Sequence, residues 1–330
     1  MNVIVNPTYH EINNDVVKSW ESRQSERYKE YRKKWVDNPQ YFILEDAPLH
    51  LDIETSSACN LKCPMCPRTI MIQDASSDFK PCNMELSTYK RIIDEATEIG
   101  VYSIKLNWRG EPLIHKDIVE MVRYAKEKGI VDVMFNTNAV LLNNQTSKKL
   151  IEAGLDKLFF SFDSPHKEKY EEIRVGAEYD KTLDNIKNFM KIRDEIGSVN
   201  PLTRVSMVRM ESNEDEYDEF IELFRDVVDV VAYVEYNEPV REVIKDYNPE
   251  FACSQLWQRM FISAEGDVLV CCLDSEKDYI AGNIHKDTIK NIWKNEKYKT
   301  IRDLHKNGQY NQIAMCAKCS LPEKKQNGTI

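Results

Sequence analysis

The feature that most constrains this chain is a regular alternation of strand-like and helix-like segments. Between the strand-like segments, apolar residues recur at helical spacing, and the helical patterns stop at Gly100, Gly129, Gly154 and Gly197. The segments that read as strands are 51–55, 103–107, 132–136, 158–162, 204–210 and 230–235. Because strands joined by helices lie parallel, six such repeats predict an α/β fold with a parallel sheet or a partial barrel, and they exclude all-α and all-β folds.

The two ends of the chain depart from this rhythm. Residues 14–36 read as one helix that carries Tyr28, Tyr31 and Trp35 on one side, which we expect to pack on the main domain. After about residue 237, segments 261–263 and 268–271 read as a β-hairpin, followed by helices near 289–293 and 298–305. We therefore predict an N-terminal helical extension over 1–47, the repeat domain over 48–244 and a small α+β module over 245–330.

Three cysteines, Cys59, Cys63 and Cys66, follow the first predicted strand. Active sites of βα folds gather at the carboxyl ends of strands, and three closely spaced thiolates suit an iron–sulfur cluster with one iron left open. Two other interpretations stay open on spacing alone: a structural zinc with a distant fourth ligand, and buried cysteines without metal. Zinc sites more often use two cysteine pairs, so a lone triplet matches zinc less well.

A second set, Cys253, Cys271, Cys316 and Cys319, could close a tetrahedral zinc site or a fully ligated cluster, and its spacing does not choose between them. The chain has nine cysteines and no secretory signal, so metal or redox chemistry in the cytoplasm is a better expectation than a disulfide framework. Cys82 and Cys272 belong to neither set.

The triplet spacing and its place after the first strand resemble the radical S-adenosylmethionine (SAM) superfamily. The resemblance implies a partial (β/α)6 barrel, with a [4Fe–4S] cluster on the three cysteines and SAM on the fourth iron. Reductive cleavage of SAM then yields methionine and a 5′-deoxyadenosyl radical. The second set resembles SPASM and twitch modules, also at Trp257 and at Ile292-Trp293. Full SPASM modules have seven cysteines, so this shorter set implies one auxiliary [4Fe–4S] cluster and two clusters in all.

The resemblance also implies contacts to SAM. Glu111, within Arg109-Gly110-Glu111-Pro112, resembles the acid of the family's Gly-Gly-Glu motif and would accept the methionine ammonium. Met65 replaces the aromatic residue that the family usually places near the adenine. Ser161 and Asp163 match ribose contacts, Arg174 matches the partner of the methionine carboxylate, and Asn136 and Asn138 could line the pocket. Without the resemblance, Glu111 reads as an ordinary loop acid and Arg174 as a structural arginine.

The function that the resemblance implies is hydrogen abstraction from a hydroxyl-bearing carbon of a small, carbohydrate-like metabolite, because members of the family with one auxiliary cluster include dehydrogenases and sugar epimerases. The outcome would be dehydrogenation or epimerisation, with Cys82 as a candidate hydrogen donor and a protein such as flavodoxin or ferredoxin as the electron donor. Peptide maturation is the alternative, although the 47 residues before the barrel look too short for a leader-peptide-binding domain. A non-enzymatic iron–sulfur or zinc protein is another.

The charge and hydropathy patterns bear on partners. The formal net charge is −10, and nucleic-acid affinity depends on neutralising phosphates with Lys and Arg. We therefore expect no nucleic-acid partner, and RNA modification is disfavoured. No apolar run approaches the ~18 residues that a membrane span requires, so we expect no membrane partner either.

Overall fold

The computed structural model describes residues 9–12, 14–236 and 248–322. The predicted boundary between barrel and module, at 244/245, lies outside the described residues, as do the last eight residues assigned to the module. In the described parts of the chain, no helix is both long enough and apolar enough to span a membrane.

One mixed sheet runs through the structure, in the order β1-β7-β6-β5-β4-β3-β2-β8-β9-β10. Its strands are β1 (Tyr9–Ile12), β2 (His50–Ile53), β3 (Ser103–Lys105), β4 (Asp132–Thr137), β5 (Lys157–Ser161), β6 (Leu202–Arg209), β7 (Val230–Glu235), β8 (Arg259–Ile262), β9 (Asp267–Leu269) and β10 (Ile280–Asn283). Strands β2 to β7 are parallel and adjacent in chain order. They are the six predicted strands, so the α/β partial-barrel prediction is confirmed.

The described helices lie on the outer face of the parallel strands, at the N-terminal end of the barrel and in the C-terminal segment. They are α1 (Asn14–Ser22), α2 (Glu26–Tyr41), α3 (Pro67–Gln73), α4 (Leu86–Glu98), α5 (Ile118–Glu127), α6 (Asn144–Glu152), α7 (Lys167–Ile173), α8 (Tyr179–Ile196), α9 (Tyr217–Phe224), α10 (Ile289–Lys294), α11 (Glu296–Lys306) and α12 (Ala314–Ala317). Outward-facing strand residues such as Leu51, Ile104 and Val133 are fully buried in one core with helix residues such as Ile93 and Val122. Removing this apolar surface from water stabilises the fold.

The N-terminal segment differs from its prediction in one respect: 14–36 is not a single helix. Helix α1 ends at Ser22, and α2 starts after Ser25, whose side chain accepts a hydrogen bond from the Tyr28 backbone N–H. A serine that caps a helix in this way competes with helix continuation, which the aromatic spacing alone does not reveal.

Helix α2 closes the N-terminal end of the barrel. Tyr31 stacks on Tyr102, next to β3, and the Trp35 ring meets His50, the first residue of β2, edge to face. Beneath them, Lys157 at the start of β5 donates to the hydroxyl oxygen of Tyr28 at 3.1 Å. The expectation that this segment packs on the main domain is thus confirmed, and the aromatic plug makes the barrel blind at this end.

The C-terminal segment forms the predicted hairpin, β8 and β9, and then continues the barrel sheet. Strand β8 runs parallel to β2, pairing His50–Ile53 with Arg259–Ile262, and β10 pairs with β9. Sequence spacing gives no sign of this pairing, because β2 and β8 are about 200 residues apart in the chain. The first strands of the predicted module are therefore hydrogen-bonded to the barrel.

The aromatic plug generates a stability prediction at Lys157. Its ammonium group lies 2.7 Å from Asp132, whose side chain is 0% exposed. In the Lys157→Met variant the Asp132 carboxylate stays buried without its cation, so we expect a loss of about 3–5 kcal/mol in unfolding free energy. Urea unfolding measures this loss. Lys148→Met, at an exposed helix lysine paired with Glu152, is the control and should be near neutral; equal effects of the two changes would contradict the prediction.

Candidate active site and its two cysteine sets

The first cysteine set lies in the loop between β2 and α3. Cys63 is buried and packs on the main core, while Cys59 and Cys66 are half-buried; Cys66 precedes Pro67 at the start of α3. Burial raises the pKa of the Cys59 thiol to about 11, and it also raises that of Cys63, where the Arg174 guanidinium opposes the effect. The loop thus gathers the three thiols at the carboxyl end of β2, where the sequence placed them.

Gly110 lets a second loop lie directly against the cysteine loop. The Glu111 N–H donates to the Ala58 carbonyl at 2.8 Å. A Cβ atom at position 110 would stand 2.2 Å from the Ser56 carbonyl oxygen and 2.5 Å from that of Ala58. Since backbone cannot yield as a flexible side chain can, the close approach of these two loops requires glycine.

Arg109 occupies the first position of the motif, where the family has glycine. Its Nε and Nη2 donate to the two carboxylate oxygens of Glu54 at 2.9 and 2.8 Å. Its guanidinium lies over the Trp108 ring, and Nη1 donates to the Ser275 carbonyl at 3.3 Å. The arginine thus ties the motif loop both to the end of β2 and to the C-terminal segment. The sequence analysis did not identify Glu54 as the partner of Arg109. The sequence feature that could have indicated it is an acidic residue directly after a buried strand.

Glu111 is buried behind the cysteine loop. Its carboxylate accepts hydrogen bonds from the Thr137 hydroxyl at 2.7 Å, the Asn138 N–H at 2.8 Å and the Leu113 N–H at 3.1 Å. Burial is the main cause of its raised pKa, which these hydrogen bonds oppose. A carboxylate has about four acceptor positions, so the Glu111 carboxylate can still accept from an ammonium group.

Asn138 links this acid to the cysteine loop. Its backbone N–H donates to Glu111, while its side-chain amide donates to the Asn60 side chain at 2.9 Å and lies 3.8 Å from Cys59 Sγ. Glu111 and the first cysteine are therefore held in one hydrogen-bonded unit, which fixes the position of one relative to the other.

Arg174 and Asp163, two of the predicted SAM contacts, contact each other. Arg174 Nε lies 2.5 Å from Asp163 Oδ2, and the arginine Nη1 lies 4.0 Å from Cys63 Sγ. The Asp163 side chain is 0% exposed, and its other oxygen accepts the Val208 N–H at 2.8 Å. This position favours a role for Asp163 in fixing Arg174, and the predicted ribose contact stays a prediction.

The inner face of the barrel lines an open lumen. Along β3 to β6, inner-face residues are partly exposed while the residues between them are buried, which is the period-two pattern of strands with one open face. The partly exposed residues are Lys105, Met134, Asn136, Phe159, Ser161, Arg204, Ser206 and Val208. Asn136 and Ser161 thus line the lumen, and Met65 lies half-buried in the cysteine loop beside its mouth.

The second cysteine set surrounds a separate cavity of about 200 Å³. Cys253, Cys271, Cys316 and Cys319 all line it. Burial raises the pKa of Cys253 to about 12, and the nearby Cys319 thiol adds to this rise. In the described parts of the chain, no three thiol, imidazole or carboxylate groups converge on the position of a single metal ion. A four-iron cluster binds each thiolate at a different iron, so cysteines spread around a cavity fit it.

Cys272 stands between the auxiliary cavity and the lumen. It lines the cavity beside Cys271, and its carbonyl accepts the Trp108 indole N–H at 2.7 Å. On its other side, Lys105, Asp52 and Arg259 are close enough to influence the pKa of its thiol. The two cysteine sets thus lie on either side of one lumen, joined through the Trp108-Arg109 segment.

Comparison with known families matches both parts of this arrangement. The model of the radical SAM superfamily matches residues 53–224, just over half of the chain, and that of an iron–sulfur cluster-binding domain, SPASM, matches residues 253–320. The chain belongs to the radical SAM superfamily. As a radical SAM protein with a C-terminal SPASM domain, it has [4Fe–4S] clusters and SAM as its cofactors.

Curated relatives match part of the chain. A GTP 3′,8-cyclase of Limosilactobacillus fermentum is 35% identical over 157 residues, which are 47% of this chain and 44% of the relative. A tungsten-containing aldehyde ferredoxin oxidoreductase cofactor-modifying protein of Pyrococcus furiosus is 30% identical over 169 residues, 50% of this chain and 44% of the relative. The chain spans about half the length of the curated relatives that it matches.

Solved structures share the fold. SuiB of Streptococcus suis bound to S-adenosylmethionine gives a TM-score of 0.63 at 18% identity, covering 91% of this chain and 77% of SuiB. BtrN in complex with AdoMet and 2-DOIA gives 0.55 at 18% identity, covering 84% of this chain and 94% of BtrN. At this identity the likeness concerns the fold, and it agrees with the partial barrel described above.

The contact between the two loops generates a prediction at Gly110. In Gly110→Ala, the added methyl group must push the 56–58 backbone away, so we expect the protein to lose about half of its iron, namely the share held by the first cysteine set. Iron and sulfide analysis after anaerobic reconstitution measures this loss. Gly100→Ala is the control, because a Cβ there meets no atom within 4 Å although φ is also unfavourable, at +90°. Full iron in Gly110→Ala would contradict the prediction.

Proposed function

We propose that this protein is a radical SAM oxidoreductase or epimerase that acts on a hydroxyl-bearing carbon of a small, carbohydrate-like molecule bound in the barrel lumen. The observation that carries the proposal is the position of the lumen, which is blind at the α2 end and open toward both cysteine sets. A molecule in it would face the first cysteine set from below and the auxiliary cavity through Cys272.

In this proposal the two cysteine sets have different roles. Cys59, Cys63 and Cys66 hold a cluster with one iron left for SAM, whereas Cys253, Cys271, Cys316 and Cys319 supply all four ligands of an auxiliary cluster. When bound, these cofactors supply a 5′-deoxyadenosyl radical and, at the auxiliary site, an electron acceptor. The radical and methionine are the products of SAM cleavage by one electron from a donor such as ferredoxin or flavodoxin.

The residues around the first set orient SAM. Glu111 accepts the methionine ammonium, and Asn138 keeps that carboxylate in register with Cys59. Arg174 pairs with the methionine carboxylate, while Asp163 holds the arginine from behind. Met65, Asn136 and Ser161 contact the adenosine part, Met65 through its apolar, polarizable side chain. A preformed set of such contacts aligns the reacting carbon without further ordering cost.

The proposed reaction begins at the hydroxyl-bearing carbon of the substrate. With the cofactors bound, the substrate carbon would lose a hydrogen atom to the nucleoside radical. In dehydrogenation, the hydroxyl group would then lose its proton and the carbon would give up one electron to the auxiliary site, so that a secondary alcohol becomes a ketone. In epimerisation, the carbon would instead regain a hydrogen atom on its opposite face from a thiol, for which Cys82 is the candidate. The thiyl radical left behind would return to the thiol with one electron from the ferredoxin- or flavodoxin-type donor and one proton.

Peptide modification is the second candidate function. SuiB, which shares the fold, has been solved bound to the precursor peptide SuiA. Because the aromatic residues of α2 close the lumen at one end, it nevertheless suits a small molecule better than an extended peptide chain. Co-purification of a leader peptide with this protein would favour the peptide function.

The two cysteine sets can be separated by single variants. We expect Cys59→Ala to abolish 5′-deoxyadenosine formation from SAM with dithionite, because it removes a ligand of the cluster that binds SAM. Cys316→Ala should lose only the auxiliary iron, about half of the total, and keep SAM cleavage. Iron analysis and chromatography of the nucleoside products measure both. Cleavage that persists in Cys59→Ala, or a constant iron content in Cys316→Ala, would refute the assignment of the corresponding set.

A test at the Cys82 thiol distinguishes epimerisation from dehydrogenation. The backbone N–H of Cys82 donates to the Ser57 hydroxyl at 2.9 Å, so this residue lies beside the loop of the first cysteine set. Burial and the charge of Glu265 raise the pKa of its thiol, which therefore keeps its hydrogen at neutral pH. For an epimerase, substrate turned over in D2O should carry deuterium at the inverted carbon, and Cys82→Ala should abolish this incorporation. Cys272→Ala, which removes a different thiol, is the control variant. Incorporation that continues in Cys82→Ala excludes Cys82 as the donor.

A further inference from the structure

The floor of the lumen carries an unusual concentration of charge. Lys105 on β3 stands beside Asp52 on β2 in the parallel register, and Arg259 on β8 and Arg204 on β6 are close enough to influence its pKa. Charged side chains are costly to bury unless they are paired or reach a ligand, so each of these groups needs a partner.

Asp52 already has its partners. Its Oδ2 lies 3.3 Å from Arg259 Nη1 and 3.5 Å from His50 Nε2. Burial acts to raise the pKa of Asp52. The nearby charges of Arg259 and His50 outweigh this effect and lower the pKa to about 2. The carboxylate is therefore paired with Arg259 from the β8 side, and its attraction to Lys105 comes in addition to this pair, without a hydrogen bond between the two side chains.

Lys105 is the cation that remains. Among the described residues, none forms a hydrogen bond or ion pair with its Nζ, although the side chain is enclosed by the barrel and only partly exposed to the lumen. Burial is the main cause of its lowered pKa; the charge of Asp52 opposes this effect, and Arg259 and Arg204 add to it. An anion entering the lumen would meet an ammonium group to which no described residue is hydrogen-bonded.

Arg204 faces the same space from β6. Its guanidinium lies 3.8 Å from the centre of the Phe159 ring, and its Nε donates to the Ser206 hydroxyl at 2.9 Å. The ring and the hydroxyl fix the orientation of the guanidinium, which lowers the entropic cost of presenting it to a ligand. A preoriented guanidinium favours planar or tetrahedral oxyanions, because it can donate two parallel hydrogen bonds.

The position of Lys105 relative to the motif sets the depth of the site. Lys105 is the last residue of β3 and stands four positions before Arg109 in the chain, so even for a fully extended chain, at about 3.3 Å per residue, it lies at most about 13 Å deeper in the barrel. With the plug of Tyr28, Tyr31 and Trp35 below, the site is a closed end, where charge interactions are stronger than in bulk water. A group bound there would hold the rest of a small molecule toward the mouth.

We propose that Lys105 and Arg204 bind an anionic group of the substrate, a phosphate or a carboxylate, at the floor of the lumen. This inference rests on the proposed function, since it names the chemical class of the molecule on which that function acts. It makes the substrate an anionic, hydroxyl-bearing metabolite, anchored at one end so that the carbon to be oxidised or inverted faces the first cysteine set.

The test uses binding rather than turnover. The anaerobically reconstituted full chain is titrated with inorganic phosphate, followed by 31P NMR line width, and in a separate arm with acetate, followed by 13C line width. We expect saturable binding of at least one anion, weakened about tenfold or more in Lys105→Met, because a charge-assisted hydrogen bond is lost. Lys105→Arg should retain binding, and Lys148→Met, at an exposed lysine outside the lumen, should match the wild type.

Each outcome of the titrations either supports or overturns the anion site. Preference for phosphate assigns a phosphate ester, and preference for acetate assigns a carboxylate; both support the site. Absence of binding in the wild type, or equal binding in Lys105→Met at unchanged iron content and circular dichroism, overturns it. The experiment needs no reductant, so it is independent of SAM cleavage: anion binding in a protein that forms no 5′-deoxyadenosine would remove the proposed function and leave the site standing.

Discussion

The structure depends on one buried carboxylate, that of Glu54. It follows β2, is 0% exposed, and accepts hydrogen bonds from the backbone and guanidinium of Arg109 and, at 3.1 Å, from the Ala264 N–H beyond β8. A buried carboxylate without such partners would cost several kcal/mol, so the end of β2, the motif loop and the end of β8 must stay together. The parallel pairing of β2 with β8 continues this connection through the backbone.

This connection positions the chemistry. Because β8 lies beside β2 and β9 lies beside β8, only β8 stands between the strand that ends at the first cysteine loop and the strand that leads to Cys271. The side chain of Trp108 then joins the motif loop to Cys272 by a hydrogen bond. Two cysteine sets separated by about 200 residues of sequence therefore flank one lumen, and their relative position is a property of the sheet rather than of a flexible linker.

The lumen is shaped by elements outside the parallel repeats as much as by them. Helix α2 closes one end with aromatic side chains, and the pair of Asp52 with Arg259 closes the side where β8 joins. What remains open is lined by alternate residues of β3 to β6. Lys105 and Arg204 give this space a cationic floor, an arrangement that a hydrophobic barrel core would not need and that an anionic ligand would stabilise.

The sequence by itself determined the class of this protein, because its evidence is local. Strand and helix periodicity predicted the six parallel strands, and cysteine spacing with the Gly110-Glu111 motif predicted the radical SAM family and its cofactors. Only the tertiary structure decided that Ser25 divides the first helix, that β8 extends the barrel sheet, that Asp163 lies behind Arg174, and that Lys105 faces the lumen with no hydrogen bond to any residue that the structure describes. These features arise from contacts between residues far apart in the chain, whose energies depend on burial and on partners that no local pattern records.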